Sequence, residues 1–247
     1  MNFIRSKYRP NIEINITELC NLVCSFCPRA FDYPNENKHM TLETMELIAD
    51  QIDERDTILI CGRGEPTLHK NFDQLMQPLF ETGAKTLLTT NGKRIDKYLE
   101  TILKFDEVVL NCYYDVTFEE YEKLKDEYPD WIVDYRGDGT FEVLTLKEST
   151  PYNNRAGALG DAEIDDTDPA LNYCRKPTDW LYIDWQGNYN LCCNDWEPMI
   201  LGNINETPIW EFHENNEILT KYRLYLETGN RACLTPCDNC DYRANIG

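Results

Sequence analysis

Residues Asn11 to Thr17 alternate polar and apolar side chains, with Ile12, Ile14 and Ile16 on one face. This period of two predicts a strand. After it, Leu42, Met45, Ile48, Ala49 and Ile52 recur at helical spacing, and Thr41 is the expected N-cap. Thr57 to Cys61 is a short continuous apolar run and reads as a buried strand. A helix over 71–82 closes at Gly83. Lys85–Thr90 is the next strand, stopped by Asn91-Gly92, and a helix over 94–104 leads into the strand Glu107–Asn111. A further helix is expected over 117–127, with strands at Trp131–Tyr135 and Phe141–Leu146.

Strand and helix alternate, so the pattern predicts a parallel sheet with crossover helices. About six strands are expected, fewer than the eight of a closed barrel. The composition shifts near residue 150, and an acidic run over 161–168 reads as a linker. Beyond it, Leu181–Leu191 forms a hairpin turning at Gln186-Gly187-Asn188, and 208–227 is an amphipathic helix. The expected division is a barrel over 1–150 and a linker with a second unit over 151–247.

Composition narrows the function. The 247 residues carry 24 Lys and Arg against 44 Asp and Glu, a net charge of −20. A nucleic-acid partner needs a basic surface to meet phosphates, so none is expected. No apolar run is long enough to span a bilayer, and the N-terminus lacks the apolar core of a secretory signal. A cytoplasmic protein with no membrane partner follows. Its eleven cysteines then argue for metal ligation over disulfides.

Three of these cysteines, Cys20, Cys24 and Cys27, have the spacing C-x3-C-x2-C, with Phe26 just before the last. They lie on the loop leaving the first strand. Three thiolates this close can hold three corners of a [4Fe–4S] cluster and leave one iron open to a non-protein ligand. A zinc or disulfide site is the alternative; a zinc knuckle more often brings two ligands and a paired second knuckle.

The spacing, the aromatic residue and the position after the first strand resemble the radical S-adenosylmethionine (radical SAM) enzymes. The resemblance implies an α/β fold, a partial (β/α)6 barrel. It also implies that the open iron binds S-adenosylmethionine and that one electron cleaves it to a 5′-deoxyadenosyl radical, which abstracts hydrogen from a substrate. A reductant such as flavodoxin or ferredoxin is implied as well. Gly62-Arg63-Gly64-Glu65-Pro66 ends the second strand where the family carries a GGEP motif contacting the methionine amino group; Arg63 replaces its first glycine. Thr90-Asn91 belongs to the TNG turn common in the family, and Asn111 ends strand four, where the family often places a residue on the ribose hydroxyls.

Six cysteines follow residue 170 and predict a second metal site. They resemble the ligands of the SPASM/twitch group, whose C-terminal extension of hairpin and helix carries auxiliary [4Fe–4S] clusters. The smaller twitch form implies one cluster held by Cys174, Cys192, Cys237 and Cys240, for two clusters in all, with Cys193 and Cys233 left over. Zinc suits four cysteines too. The segments Asn154-Arg155, Gly202-Asn203-Ile204 and Ile209-Trp210 resemble twitch-type dehydrogenases that oxidise a ring alcohol to a ketone. By that resemblance Arg155 contacts substrate, as a hydrogen-bond donor rather than a base. The expected function is thus oxidation of a small molecule. Peptide modification is the alternative within the family, but the first strand begins near residue 12 and leaves no room for a leader-binding domain. A non-catalytic iron–sulfur carrier is the alternative outside it.

Overall fold

A computed structural model of the chain describes residues 9–112, 126, 141–145, 153–161 and 168–243. The expected helix over 117–127, except residue 126, and the strand at Trp131–Tyr135 lie outside the described residues, as does most of the acidic run.

Four strands follow the predicted order: β1 (Asn11–Asn15), β2 (Thr57–Cys61), β3 (Lys85–Thr90) and β4 (Glu107–Cys112). They alternate with α1 (Leu42–Ala49), α2 (Phe72–Glu81) and α3 (Ile95–Ile102), and β5 (Phe141–Thr145) pairs with β4. Thr41 caps α1, its hydroxyl accepting the Thr44 N–H at 3.2 Å. Gly83 takes φ 73° after α2, the left-handed turn that glycine permits without steric cost.

The sheet runs β5-β4-β3-β2-β1-β6-β7-β8. Here β6 (Trp180–Ile183) comes from the second unit yet pairs parallel with β1, matching Ile12 to Leu181 and Ile14 to Ile183. β7 (Asn188–Asn190) returns through the predicted turn, and β8 (Ile200–Asn203), which the sequence pattern did not show, adds an antiparallel edge. The extension therefore prolongs the barrel sheet and shares one core with it. Ile12, Ile14, Ile58 and Ile60 are fully buried, each worth roughly 1.5–3 kcal/mol of transfer energy.

The single helix expected over 208–227 is two: α4 (Ile209–Asn215) and α5 (Glu217–Glu227). Asn216 adopts extended backbone between them, and its side chain accepts the Leu219 N–H at 2.9 Å. The hydrogen bond caps α5, which is why an Asn with unremarkable flanks interrupts an amphipathic run. α4 is fixed to the barrel by the Trp210 indole, which donates to the Gln51 carbonyl at 2.8 Å. No helix among the described residues is long and apolar enough to cross a membrane.

Candidate active site

The three N-terminal cysteines lie on a loop braced from both sides. The Asn35 side chain accepts the Cys20 N–H and donates to the Cys20 carbonyl, both at 2.9 Å. The Cys27 N–H closes a tight turn on the Cys24 carbonyl at 2.9 Å, and Pro28–Ala30 continues as a 3-10 turn. The Asn91 amide donates to Asn21 at 2.8 Å, tying this loop to the end of β3.

Next to it runs Gly62–Pro66. Gly62 has φ 131°, and a Cβ on Gly64 would stand 2.2 Å from the Thr17 carbonyl oxygen, so both positions need glycine. Glu65 is buried and serves as the keystone. Its Oε1 accepts the Thr67 N–H at 3.1 Å and the Thr67 and Thr90 hydroxyls at 2.6 Å each. Its Oε2 accepts the Asn91 N–H at 2.8 Å. Burial pushes the Glu65 carboxyl up, and these donors pull it back.

One cavity of about 120 Å³ collects the whole predicted cofactor set. Phe26 and the three cysteines line it, with Gly62 through Pro66, Thr90, Asn91, Asn111 and Arg155. A second cavity, about 260 Å³, shares a wall with it through Cys61, Gly62, Arg63, Asn111, Arg155 and Trp196. Glu13, Asn15, Tyr182, Ile183, Asn190, Cys192 and Cys193 complete its lining.

This second chamber was not legible in the residue pattern. Ile12 and Ile14 face the helices, while Glu13 and Asn15, on the opposite face of β1, point into the barrel rather than to solvent. Glu13 is half-buried at the cavity wall, and its desolvation there raises the carboxyl to about 7 against the pull of Lys176, Arg155 and Arg63. The oxygen Oδ1 of Asn15, Oδ1 of Asn190 and Nε of Arg155 are buried without a hydrogen-bond partner. Unpaired polar groups at an internal cavity mark a place where a polar ligand completes the bonding. Arg155 has φ 54° and Ala156 φ 53°, and such left-handed non-glycine residues cost of order 1–3 kcal/mol each. The Asn153 side chain accepts the Arg155 N–H at 2.9 Å, and Nη1 donates to Asn194 Oδ1 at 3.0 Å, which aims the guanidinium at both cavities.

The C-terminal thiols stand near enough to oppose one another's ionisation, although among the described residues no three His, Cys, Asp or Glu groups converge as a metal-binding set. Cys174, Cys237 and Cys240 are buried, and Cys192 is half-buried. Burial, then the neighbouring Cys174 and Cys240, push the Cys237 thiol up to about 12. Burial and then the Cys193 and Cys237 thiols push Cys192 far up. Thiols whose ionisation is opposed in this way stay protonated until a cation joins them, and cluster iron would supply that charge. Arg231, itself buried, reaches Cys240 Sγ at 3.8 Å. Of the two leftover cysteines, Cys233 is exposed, while Cys193 is half-buried like Cys192 and lines the larger chamber with it, with Lys176 Nζ at 3.5 Å from its own sulfur. At the other end, Gly64 against the Thr17 carbonyl leaves a cradle only backbone can line, which fits S-adenosylmethionine beside the three-cysteine loop.

The family model for the radical SAM superfamily matches residues 14–136, and that for the SPASM iron–sulfur cluster-binding domain matches 174–241. The S-adenosyl-L-methionine-dependent 2-deoxy-scyllo-inosamine dehydrogenase of Niallia circulans is 25% identical over 93% of this chain and 92% of its own length. The Fe-coproporphyrin III synthase of Methanosarcina barkeri is 31% identical over 52% of this chain and 31% of its own. The structure of BtrN in complex with AdoMet and 2-DOIA superposes with a TM-score of 0.77 over 96% of this chain and 94% of that one, at 23% identity, a likeness of fold. The braced three-cysteine loop, the glycine cradle and the C-terminal thiols agree with both domain matches. The chain belongs to the radical SAM superfamily, as an enzyme with a SPASM-type domain that uses S-adenosylmethionine and [4Fe–4S] clusters.

Proposed function

We propose that this enzyme oxidises an alcohol carbon of a compact polar molecule held in the larger chamber. The observation that carries this reading is the wall shared by the two cavities, with Arg155 on it. A ligand in one is adjacent to a ligand in the other. The cofactor cavity would be completed by a cluster on Cys20, Cys24 and Cys27, and the auxiliary cluster would sit on Cys174, Cys192, Cys237 and Cys240. When bound, these groups supply reductive cleavage of S-adenosylmethionine, hydrogen-atom abstraction and an acceptor for a second electron.

The protein's residues do the rest. The unpartnered Arg155 Nε donates to the substrate oxygen and stabilises negative charge developing there. Asn15 and Asn190 accept from further hydroxyl or amine groups through their free oxygens. Glu13, with its carboxyl raised to about 7, receives the hydroxyl proton. The oxidation balances as one hydrogen atom from carbon, one proton from oxygen and one electron passed on, leaving a ketone.

The chamber of about 260 Å³ suits a single small ring better than a peptide segment. The likeness to a cyclitol dehydrogenase along nearly the whole chain supports the same choice. An external reductant such as flavodoxin or ferredoxin and a cytoplasmic setting complete the proposal, with the barrel over 1–150 and the auxiliary unit over 151–247.

The test is anaerobic incubation of the reconstituted enzyme with S-adenosylmethionine, reductant and a panel of amino- and neutral cyclitols that includes 2-deoxy-scyllo-inosamine. A panel member is expected to stimulate 5′-deoxyadenosine release and to appear as its ketone in equal amount. Release that no cyclitol stimulates but a peptide does would overturn the reading.

A further inference from the structure

The residue that replaces the family's glycine does more than fill a turn. Arg63 stands between three loops that are far apart in sequence. Its Nη2 donates to the Asp195 carbonyl at 2.7 Å, across 132 positions, and its Nη1 donates to the Tyr33 hydroxyl at 2.9 Å. Asp195 is three residues beyond Cys192 and fixes that loop through its own carboxylate, which accepts the Met199 N–H at 2.7 Å. Tyr33 belongs to the segment that follows Cys27.

The rings complete the arrangement. Trp196, next to Asp195 and buried, meets Tyr33 edge-on at 4.7 Å. The Arg63 guanidinium lies 5.7 Å from both ring centroids, and that of Arg29 at 5.4 and 5.8 Å. One buried carboxylate, Glu18, serves both cations, at 3.0 Å from Arg29 and 4.0 Å from Arg63. Arg29 Nε also donates to the Arg63 carbonyl at 2.9 Å. Two planar cations over two aromatic rings, sharing one desolvated anion, form a unit that loses several contacts together when any member leaves.

We propose that Arg63 is a clasp: it couples the S-adenosylmethionine loop to the loop bearing Cys192, so that ordering one orders the other. Arg63 is thus a positioning residue, acting through Asp195 and Tyr33. The proposal rests on the cofactor cavity holding S-adenosylmethionine. Coupling of this kind is reciprocal, so cofactor binding must be felt at the auxiliary loop. Arg63→Gly keeps the turn and its backbone but removes every contact of the guanidinium, whereas Tyr33→Phe removes one hydrogen bond and keeps the ring.

The experiment is hydrogen exchange by mass spectrometry on the cluster-reconstituted full chain, with and without S-adenosylmethionine. Equilibrium dialysis of the cofactor runs beside it. In the wild type, cofactor is expected to slow exchange across 192–199 at least threefold. In Arg63→Gly, dialysis shows weaker cofactor binding, and at a cofactor concentration that saturates the variant the protection at 192–199 is gone; in Tyr33→Phe it is reduced. Cofactor bound to the wild type without protection at 192–199 would overturn the clasp. So would full protection in Arg63→Gly. Absence of cofactor binding in the wild type would instead overturn the cofactor reading of the cavity, so the two failures are told apart.

Discussion

The Glu65 carboxylate accepts the Thr90 hydroxyl at 2.6 Å and so joins the end of β2 to the end of β3. With Thr67 and Asn91 it forms a four-donor knot beneath the cofactor cavity, and only Oε2 keeps a single donor. Glu65→Gln places an amide N–H where the knot already supplies N–H and O–H groups. The substitution should weaken S-adenosylmethionine binding by about 1.5–3 kcal/mol, roughly ten- to a hundredfold, with iron content unchanged. Dialysis against labelled cofactor measures this. Unchanged affinity would show that the loop supports the fold alone.

Glu13 predicts a pH dependence. Its carboxyl is raised from 4.5 to about 7 in the folded chain, chiefly by burial. The native state therefore holds a proton that the unfolded chain releases, and this contribution is complete below pH 4.5 and lost as pH rises towards 7. Glu13→Gln should accordingly be more stable than wild type at pH 8.5, by about 3 kcal/mol at most, and the gain should shrink at pH 5.5. Urea unfolding at the two pH values checks it; a gain larger at the lower pH would contradict the burial account.

Strand order in the barrel was legible because Ile12, Ile14 and the run 57–61 must be buried, and their periods name the element. The three-cysteine loop was legible because ligand spacing is local. Other features depend on which elements meet, and spacing does not record that. β6 docks beside β1 and carries the extension into the barrel sheet, although Ile12 and its partner Leu181 are 169 positions apart. Glu13 and Asn15 read as the polar half of an alternating strand, and only the folded chain shows that this half lines the chamber. Tyr33 and Trp196 are ordinary aromatics until Arg63 and Arg29 are placed over them. One signal was available in advance: Arg63 breaks the glycine motif at a loop where a long side chain has nowhere to go but across the site.

Burial sets exposed Cys233 apart from Cys174, Cys237 and Cys240, whereas Cys192 and Cys193 are both half-buried, and Cys193 is told from its neighbour by Lys176 Nζ at 3.5 Å from its sulfur. Alanine at Cys174, Cys192, Cys237 or Cys240 should each remove one cluster, lowering iron from about eight to about four per chain. Alanine at exposed Cys233, or at Cys193 in the chamber, should leave iron unchanged. The tail has neighbours in the shared core, so cluster loss should loosen 231–243 rather than the whole extension. Iron and acid-labile sulfide assays decide it. Loss of a cluster in Cys233→Ala but not in Cys174→Ala would contradict the ligand set.

The central claim is that Cys20, Cys24 and Cys27 build a site that cleaves S-adenosylmethionine. The most direct measurement is 5′-deoxyadenosine released by the anaerobically reconstituted, reduced chain, compared with the triple alanine variant at those three positions. The account predicts release by the wild type and none above background from the variant, which keeps its auxiliary cluster at about four iron. A wild type holding about eight iron and releasing no 5′-deoxyadenosine, or a triple variant matching it, would contradict the account.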